Sequence, residues 1–212
     1  MTEMTQAEEQ VAAKVFGERL PVASRFVDHL ATSGIERGLL GPREVPRLWG
    51  RHVLNCAVVE ELIESGARVA DVGSGAGLPG VALAIARPDL QLTLIEPLER
   101  RVQWLDEVCS DLELNNVRVL RGRAEQVTDE VHADVVTARA VSALAKLAPI
   151  TIPLLHGSGE LLAIKGRSAS EELAKAEDKI RRLGGTGFSI VTAGEALLGE
   201  PTTVVRIVVG EQ

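Results

Sequence analysis

Aromatic side chains are scarce in this sequence of 212 residues, which has three Phe, two Trp and no Tyr. The core must therefore be aliphatic, and hydrophobic residues do make up 45% of the chain. Cysteine is also rare: Cys56 and Cys109 lie far apart and, like the four histidines, match no metal-ligand spacing. We expect two buried free thiols in a reducing cytoplasm, and no metal.

Long apolar runs are missing as well. None approaches the ~18 residues that cross a bilayer, and residues 1–20 are polar and mixed in charge, so we expect neither membrane insertion nor secretion. Basic residues are in deficit, with 23 Lys and Arg against 30 Asp and Glu and a net charge of −7. Contact with a nucleic acid would need a local basic surface on this acidic protein.

Apolar spacing divides the chain into a helical extension, residues 1–66, and an α/β domain, residues 67–212. The extension predicts amphipathic helices over 6–33, interrupted near Gly17 and Pro21, then a connector and helical spacing over 48–65. In the domain short aliphatic runs alternate with helices, as in a parallel sheet with right-handed crossovers. Strands are expected at 68–72, 91–95, 117–120, 134–138, 159–164, 188–192 and 202–209, and helices at 81–87, 99–111, 142–155 and 169–182.

The last two strands have only residues 193–201 between them, which predicts a closing β-hairpin. One edge strand would then be antiparallel to the others. The predicted fold is therefore α/β, with a Rossmann-like, seven-stranded and mostly parallel sheet.

Four glycines stand between the first strand and the first helix of this domain: Gly73, Gly75, Gly77 and Gly80. Residues without a Cβ let the backbone turn sharply and approach a ligand. In an open α/β sheet such a turn lies at the carboxyl ends of the strands, where ligands bind. The turn therefore predicts a cofactor loop.

The residues of this turn discriminate between cofactors. Leu78 stands where a dinucleotide fingerprint aligned on Gly73 needs its third glycine, and a match shifted to Gly75 begins too late after the strand. Val81 stands where a P-loop needs Lys. Asp71 suits the ammonium group of S-adenosylmethionine, which has no pyrophosphate. The residues favour this cofactor, with a nicotinamide-dependent oxidoreductase and a non-catalytic nucleotide-binding module as alternatives.

Two further segments follow neighbouring strands. Glu96 closes the second strand, where a carboxylate accepts hydrogen bonds from the ribose hydroxyls of either cofactor. The loop at 122–125 follows the third strand, and its amides together with the Glu125 carboxylate suit the edge of an adenine.

Five segments with recognisable residues follow one another along the chain: residues 48–55, 71–81, 122–125, Thr137-Ala138-Arg139-Ala140, and 162–166, the last of which ends in Lys165-Gly166. In this combination the sequence closely resembles the RsmG family, formerly called GidB, from about Leu20 to the end. Members are bacterial methyltransferases that modify guanine N7 in the decoding-region stem-loop of 16S ribosomal RNA. Their loss alters decoding and gives mild streptomycin resistance.

The resemblance implies a class I S-adenosylmethionine-dependent methyltransferase fold and assigns roles to individual residues. It implies cofactor contacts at Gly73, Leu78, Ala124, Glu125 and Arg139, and RNA-facing or active-centre roles for Arg123, Lys165 and Arg167. Two departures weaken any role for the segment around Trp49: Gly50 stands where the family commonly has an acid, and Asn55 where Asp is frequent. The first dozen residues match nothing in the family, which allows a disordered start.

Arg139 follows the fourth strand at the rim where the methyl acceptor should arrive. The Asn/Asp-Pro-Pro-aromatic turn of exocyclic amine methylation is absent there, and we expect neither cysteine near this rim as a nucleophile for a ring carbon. Guanine N7 carries an exposed lone pair, so its methylation needs orientation and charge placement more than a general base. Arg139 and Lys165 are the active-centre candidates. Because an arginine bonded to N7 would block it, we expect Arg123, Arg139 and Lys165 to contact phosphate, cofactor or O6.

Residues 135–170 hold four basic residues and one acid: Arg139, Lys146, Lys165, Arg167 and Glu160. We expect Arg118, Arg121 and Arg123 near the same sheet edge. Since few phosphate contacts make binding to bare RNA weak, the expected partner is 16S ribosomal RNA within a small-subunit particle, bound by a monomer. A methyltransferase acting on another RNA or a small molecule is the alternative. We interpret His52 as a helix-surface or capping residue, and Trp49 and Trp104 as packed against the sheet.

Overall fold

The computed structural model describes residues 2–210, so the outermost ends of the two predicted regions, Met1 and Gln212, lie outside it. Its strands are β1 (Arg68–Val72), β2 (Gln91–Glu96), β3 (Val117–Arg121), β4 (Val135–Arg139), β5 (Gly159–Ile164), β6 (Gly185–Ala193) and β7 (Thr202–Val209). These seven strands form one sheet in the order β3-β2-β1-β4-β5-β7-β6.

The first five strands run parallel, and β7 is antiparallel to both β5 and β6. The mostly parallel sheet with a closing hairpin is thus confirmed. The reversed strand is β7, one place in from the edge that β6 forms. The strand order reverses between β1 and β4, and in doubly wound sheets the ligand crevice opens at the carboxyl ends of the strands beside such a reversal.

Helices connect the strands close to the predicted positions. Those of the α/β region are α4 (Gly80–Ala86), α5 (Glu99–Asp111), α6 (Leu144–Thr151) and α7 (Ala169–Arg182). The predicted helix over 142–155 begins two residues later and changes to a 3-10 helix at Ile152–Leu155, where Pro153 occupies the first turn.

Alternate residues of each central strand enter two apolar clusters on opposite faces of the sheet, as the two-residue period of a strand requires. Val69, Leu94 and Val204 point to one face, and their neighbours Ala70, Ile95 and Val205 to the other. The first face is covered by α4, α5 and the chain before β1, and the second by α6 and α7.

Helical structure in the chain before β1 begins at Gln6. Helix α1 (Gln6–Phe16) starts with a capping box between Thr5 and Glu8, so the disordered start that the sequence allowed is wrong. The predicted interruption occurs at Gly17, after which α2 (Leu20–His29) begins with Pro21 in its first turn. Residues 48–62 are a π-helical stretch (Leu48–Leu54), the single turn α3 (Asn55–Ala57) and a 3-10 helix (Val58–Leu62).

Side chains of this segment, among them Phe26, Trp49 and Val53, belong to the same apolar cluster as the first sheet face. Trp104 of α5 is fully buried there too, so the packing predicted for both tryptophans is confirmed. No helix within residues 2–210 has the length and apolar character that crossing a bilayer requires.

Candidate active site

The glycine-rich turn after β1 depends on backbone conformations that other residues rarely adopt. Gly73, Gly75 and Gly77 have φ values of 72°, 55° and 77°. A Cβ atom on Gly73 would lie 2.8 Å from Cγ2 of Val141, and one on Gly77 would lie 2.5 Å from Cγ2 of Val81. The turn therefore has this shape only with glycine at both positions.

The amides at the start of α4 already have acceptors within the protein. Gly80 N donates to Oδ2 of Asp71 at 3.1 Å, and Val81 N donates to the carbonyl of Gly77 at 2.8 Å. A bound pyrophosphate would need free amides at this helix start, but the Asp71 carboxylate already occupies the position that the pyrophosphate would take. The geometry disfavours a dinucleotide here.

Asp71 lies beneath the turn rather than in the open crevice. Its side chain is fully buried, and Oδ1 has no hydrogen-bond partner within the part of the chain that the structure describes. Burial raises the pKa of this carboxyl to about 7, and nearby Glu96 adds to the rise. A contact with an ammonium group stays a prediction, but the unpaired oxygen fits a cationic ligand.

Glu96 is buried rather than solvent-facing and ties two loops together. Its Oε2 accepts from Gly75 N and its Oε1 from Leu98 N, both at 3.0 Å. The carboxylate thus lies at the junction of the turn after β1 and the loop after β2, where the ribose contact was predicted.

Apolar surface flanks this junction, and no sequence pattern predicted it. Leu98 and Val141 are two of the three large apolar side chains that are most exposed within residues 2–210. The loop after β3 adjoins them, since Gly122 N donates to the carbonyl of Glu96 at 3.2 Å. In that loop Ala124 is buried and Glu125 is exposed. Carboxylate, glycine backbone and apolar surface together fit an adenosine.

Arg139, at the end of β4, is held by the segment before β1. Its Nη1 donates to Sγ of Cys56 at 3.2 Å, and its Nη2 lies 2.9 Å from Nδ1 of His52 and 3.3 Å from the carbonyl of Arg51. Because a guanidinium only donates, Nδ1 of His52 accepts, and Nε2–H donates to Oε2 of Glu44 at 2.7 Å. His52 is therefore neutral in this arrangement.

Two expectations about this rim are wrong. His52 is buried and joins Glu44 to Arg139, so it is neither a helix-surface nor a capping residue. Cys56 lies at the rim, because the chain before β1 folds back over the carboxyl ends of the strands. Burial raises the pKa of its thiol to about 11, so Cys56 is protonated at neutral pH and is a poor nucleophile.

The predicted basic face is divided. Arg123 is exposed after β3, and two strands, β2 and β1, lie between β3 and the strand that carries Arg139. Arg118 and Arg121 pair with Glu130 and Glu99. Their expected place beside Arg139 is wrong, because the strand order puts β3 at the far edge.

Lys165 and Arg167 follow β5, and they differ in whether other residues hold their side chains. Lys165 Nζ donates to the carbonyl of Ser142 at 2.6 Å and pairs with Glu172 at 2.9 Å. Arg167 is exposed and faces a cavity beside the π-helical stretch. Lys165 is therefore a structural residue in this conformation, and Arg167 is free to meet a phosphate.

Neither thiol forms a disulfide, and both are buried. Within residues 2–210 no three His, Cys, Asp or Glu side chains come together as a metal site would need. The expectation that the protein needs no metal stays a prediction.

Comparison with known families agrees with this geometry. The model of the GidB family, described as rRNA small subunit methyltransferase G, matches residues 19–198. The chain belongs to this family.

Two curated relatives in the GidB family match along almost the whole chain. The ribosomal RNA small subunit methyltransferase G of Renibacterium salmoninarum is 68% identical over 211 residues, which cover 99% of this chain and 98% of the relative. That of Pseudarthrobacter chlorophenolicus is 67% identical over 211 residues, covering 100% and 98%. These matches include α1, which lies before the region that the family model covers.

A solved structure shares the fold at low sequence identity. Fibrillarin of Aeropyrum pernix, solved with natively bound S-adenosyl-L-methionine, matches with a TM-score of 0.53 and 21% identity over 74% of each chain. The GidB-family chain thus has the Rossmann-like fold of class I methyltransferases.

Proposed function

We propose that this protein transfers a methyl group from S-adenosylmethionine to N7 of a specific guanine in the decoding-region stem-loop of 16S ribosomal RNA. It acts in the cytoplasm as a monomer, on a small-subunit particle and without a metal. Membership of the GidB family supports a ribosomal RNA substrate.

The residues at the acceptor rim support N7 as the atom that accepts the methyl group. Beside Arg139, Nδ1 of His52 is occupied by the guanidinium, and the Cys56 thiol is buried and protonated. These groups can neither deprotonate an amine nor attack a ring carbon. An acceptor with its own lone pair needs no such help, and guanine N7 is one. The rim then has to orient the base and exclude water.

The cofactor assignment is supported by the groups around the glycine-rich turn. When bound, S-adenosylmethionine supplies an electrophilic methyl group on a sulfonium. Glu96 would accept from its ribose hydroxyls, Leu98 and Ala124 would line the adenine, and Glu125 would meet the adenine edge. Asp71, with its unpaired Oδ1, would stabilise the positive charge of the amino-acid part, and Arg139 its carboxylate.

Cations on the acceptor side would hold the RNA. Arg167 is exposed next to the rim and suits a phosphate, while Arg123 would meet the backbone further along the sheet edge. Lys165, paired with Glu172, would support the loop that carries Arg167.

The test is mass spectrometry of ribosomal RNA from a strain that lacks this gene. We expect the loss of one N7-methylguanine, restored by the wild-type gene and not by a Gly73→Asp variant. Purified protein with small subunits and with a naked stem-loop then separates the substrates. A full complement of N7-methylguanine in the deletion strain would contradict the proposed function. Equal methylation of small subunits and of the naked stem-loop would contradict only the requirement for a particle.

A further inference from the structure

A cavity of about 740 Å³ lies beside the segment before β1 that holds Arg139. Its walls come from α1, from the π-helical stretch, from the loop after β5 and from the β6–β7 loop at residues 197–200. Arg51, whose carbonyl accepts from Arg139, lines it. None of the predicted cofactor residues is in its wall. The volume is that of a small-ligand site and accommodates a nucleotide.

Three arginines face this cavity without an ion pair: Arg47, Arg51 and Arg167. None makes a side-chain hydrogen bond within residues 2–210. The hydrogen bond with His52 is the main cause that lowers the pKa of Glu44, and the charges of Arg51 and Arg47 add to it. Elsewhere most arginines are neutralised, as Arg87 is by Glu60 and Asp89. Unpaired guanidinium groups around a concave site suit a phosphate.

A carboxylate is fixed in the same wall. Glu8 Oε2 accepts from Thr5 N at 2.8 Å and from Thr5 Oγ1 at 2.9 Å, while Oε1 has no hydrogen-bond partner among the described residues. Oε1 lies against Gly50, where a Cβ atom would come within 2.6 Å of it. The capping box and the missing side chain at position 50 therefore hold a carboxylate in place with one oxygen free.

We infer that this cavity receives the extruded guanosine nucleotide, with its phosphate at the three arginines and its base read by Glu8. The inference rests on the proposed function and adds the site of base recognition. Guanine presents two neighbouring donors, N1–H and N2–H, and the free Oε1 of Glu8 has two lone pairs that can accept from both, whereas adenine presents an acceptor at N1. Enzymes that act on an extruded base commonly read this edge. N7 lies on the other ring and stays free to react.

Nucleotide binding by the full-length protein with S-adenosylhomocysteine tests the site. Guanosine and adenosine monophosphates are titrated, and amide shifts of Leu197, Leu198 and Gly199 report occupancy. We expect wild type to prefer the guanosine nucleotide by roughly tenfold, since a two-point base contact discriminates by ~1–3 kcal/mol. Glu8→Gln should bring the two affinities within about twofold of each other. Helix α1 should remain folded, because glutamine also serves in a capping box.

Glu9→Gln is the matched control, since Glu9 is exposed on the same helix, and it should keep the preference. Arg167→Ala should weaken both nucleotides alike. Absence of shifts at millimolar nucleotide, equal affinities in wild type, or a preference that survives Glu8→Gln would each overturn the site. If such a result came with N7 methylation of small subunits by wild type, only the site would fail. If methylation were absent, the proposed function would fail.

Discussion

The Nη2 atom of Arg139 lies 2.9 Å from Nδ1 of His52, and this contact fixes the protonation state of the imidazole. Protonation would turn Nδ1 into a donor that faces another donor and a positive charge. Burial also lowers the pKa of His52, and Arg139 adds to this, while the hydrogen bond to Glu44 opposes it. The position of Arg139 thus depends on a neutral histidine.

The free energy of unfolding should therefore decrease in mild acid. The folded pKa of His52 lies below the usual value of about 6.5, so the unfolded chain takes up its proton first as the pH falls. The stability that comes from keeping His52 neutral in the folded protein is fully present above about pH 6.5 and is lost as the pH falls below it. Urea unfolding at several pH values should show a smaller decrease for His52→Gln than for wild type. Identical pH dependences would contradict the network.

Binding of S-adenosylmethionine should release a proton near neutral pH. Burial raises the pKa of the Asp71 carboxyl to about 7, so the carboxyl is partly protonated near neutral pH. A cationic ligand near Oδ1 favours the charged form and lowers this pKa. Calorimetry in buffers of different ionisation enthalpy should detect the release in wild type and not in Asp71→Asn. Binding heats of wild type that do not depend on the buffer would contradict the ammonium contact.

Gly73→Ala should weaken cofactor binding by more than tenfold. The residue combines a φ of 72° with the close approach of Val141, and either effect distorts the turn. Gly38→Ala is the matched control, because Gly38 has a φ of 68° and nothing within 4 Å of a Cβ atom. It should cost about 1–2 kcal/mol of stability and leave affinity unchanged. Adding Val141→Ala to Gly73→Ala should restore part of the affinity, and no recovery would argue against the clash.

Cys56 should be dispensable for methyl transfer. Its thiol is buried and its pKa is raised to about 11, so iodoacetamide should not label it in the native protein but should do so in urea. Cys56→Ser should keep activity within about tenfold, or 1.4 kcal/mol, because serine retains a polar contact to Arg139. A loss of several orders of magnitude with folding intact would indicate a covalent mechanism.

Substitutions of Lys165 and of Arg167 should have different effects on the stability of the protein and on the salt dependence of RNA binding. Lys165→Ala removes the ion-pair partner of the half-buried Glu172, which keeps its hydrogen bonds from Leu144 N and Ser168 Oγ, and should cost about 1–3 kcal/mol of stability. Arg167→Ala should change stability by less than about 0.5 kcal/mol. It should also reduce the slope of log affinity against log salt by about one, as expected for one lost phosphate contact. If Arg167→Ala left that slope unchanged, Arg167 would not contact the RNA backbone.

Local patterns in the sequence predicted the strands and the cofactor turn because their causes are local. The aliphatic run at 68–72 and the four glycines between Gly73 and Gly80 fix their own conformation. The contacts around Arg139 join residues more than 80 positions apart, and no sequence pattern near His52 or Cys56 predicts them. The separation of Arg123 from Arg139 likewise follows from strand order, which spacing alone does not determine.

The reversed direction of β7 has a consequence for how this enzyme can diverge. Because β6 runs parallel to β1–β5 and β7 returns, the connection at residues 197–200 emerges at the catalytic end of the sheet rather than at its opposite end. Insertions or deletions in this short connection would reshape the entrance for the acceptor while the glycine-rich turn stays untouched. Acceptor choice and cofactor use can therefore evolve separately.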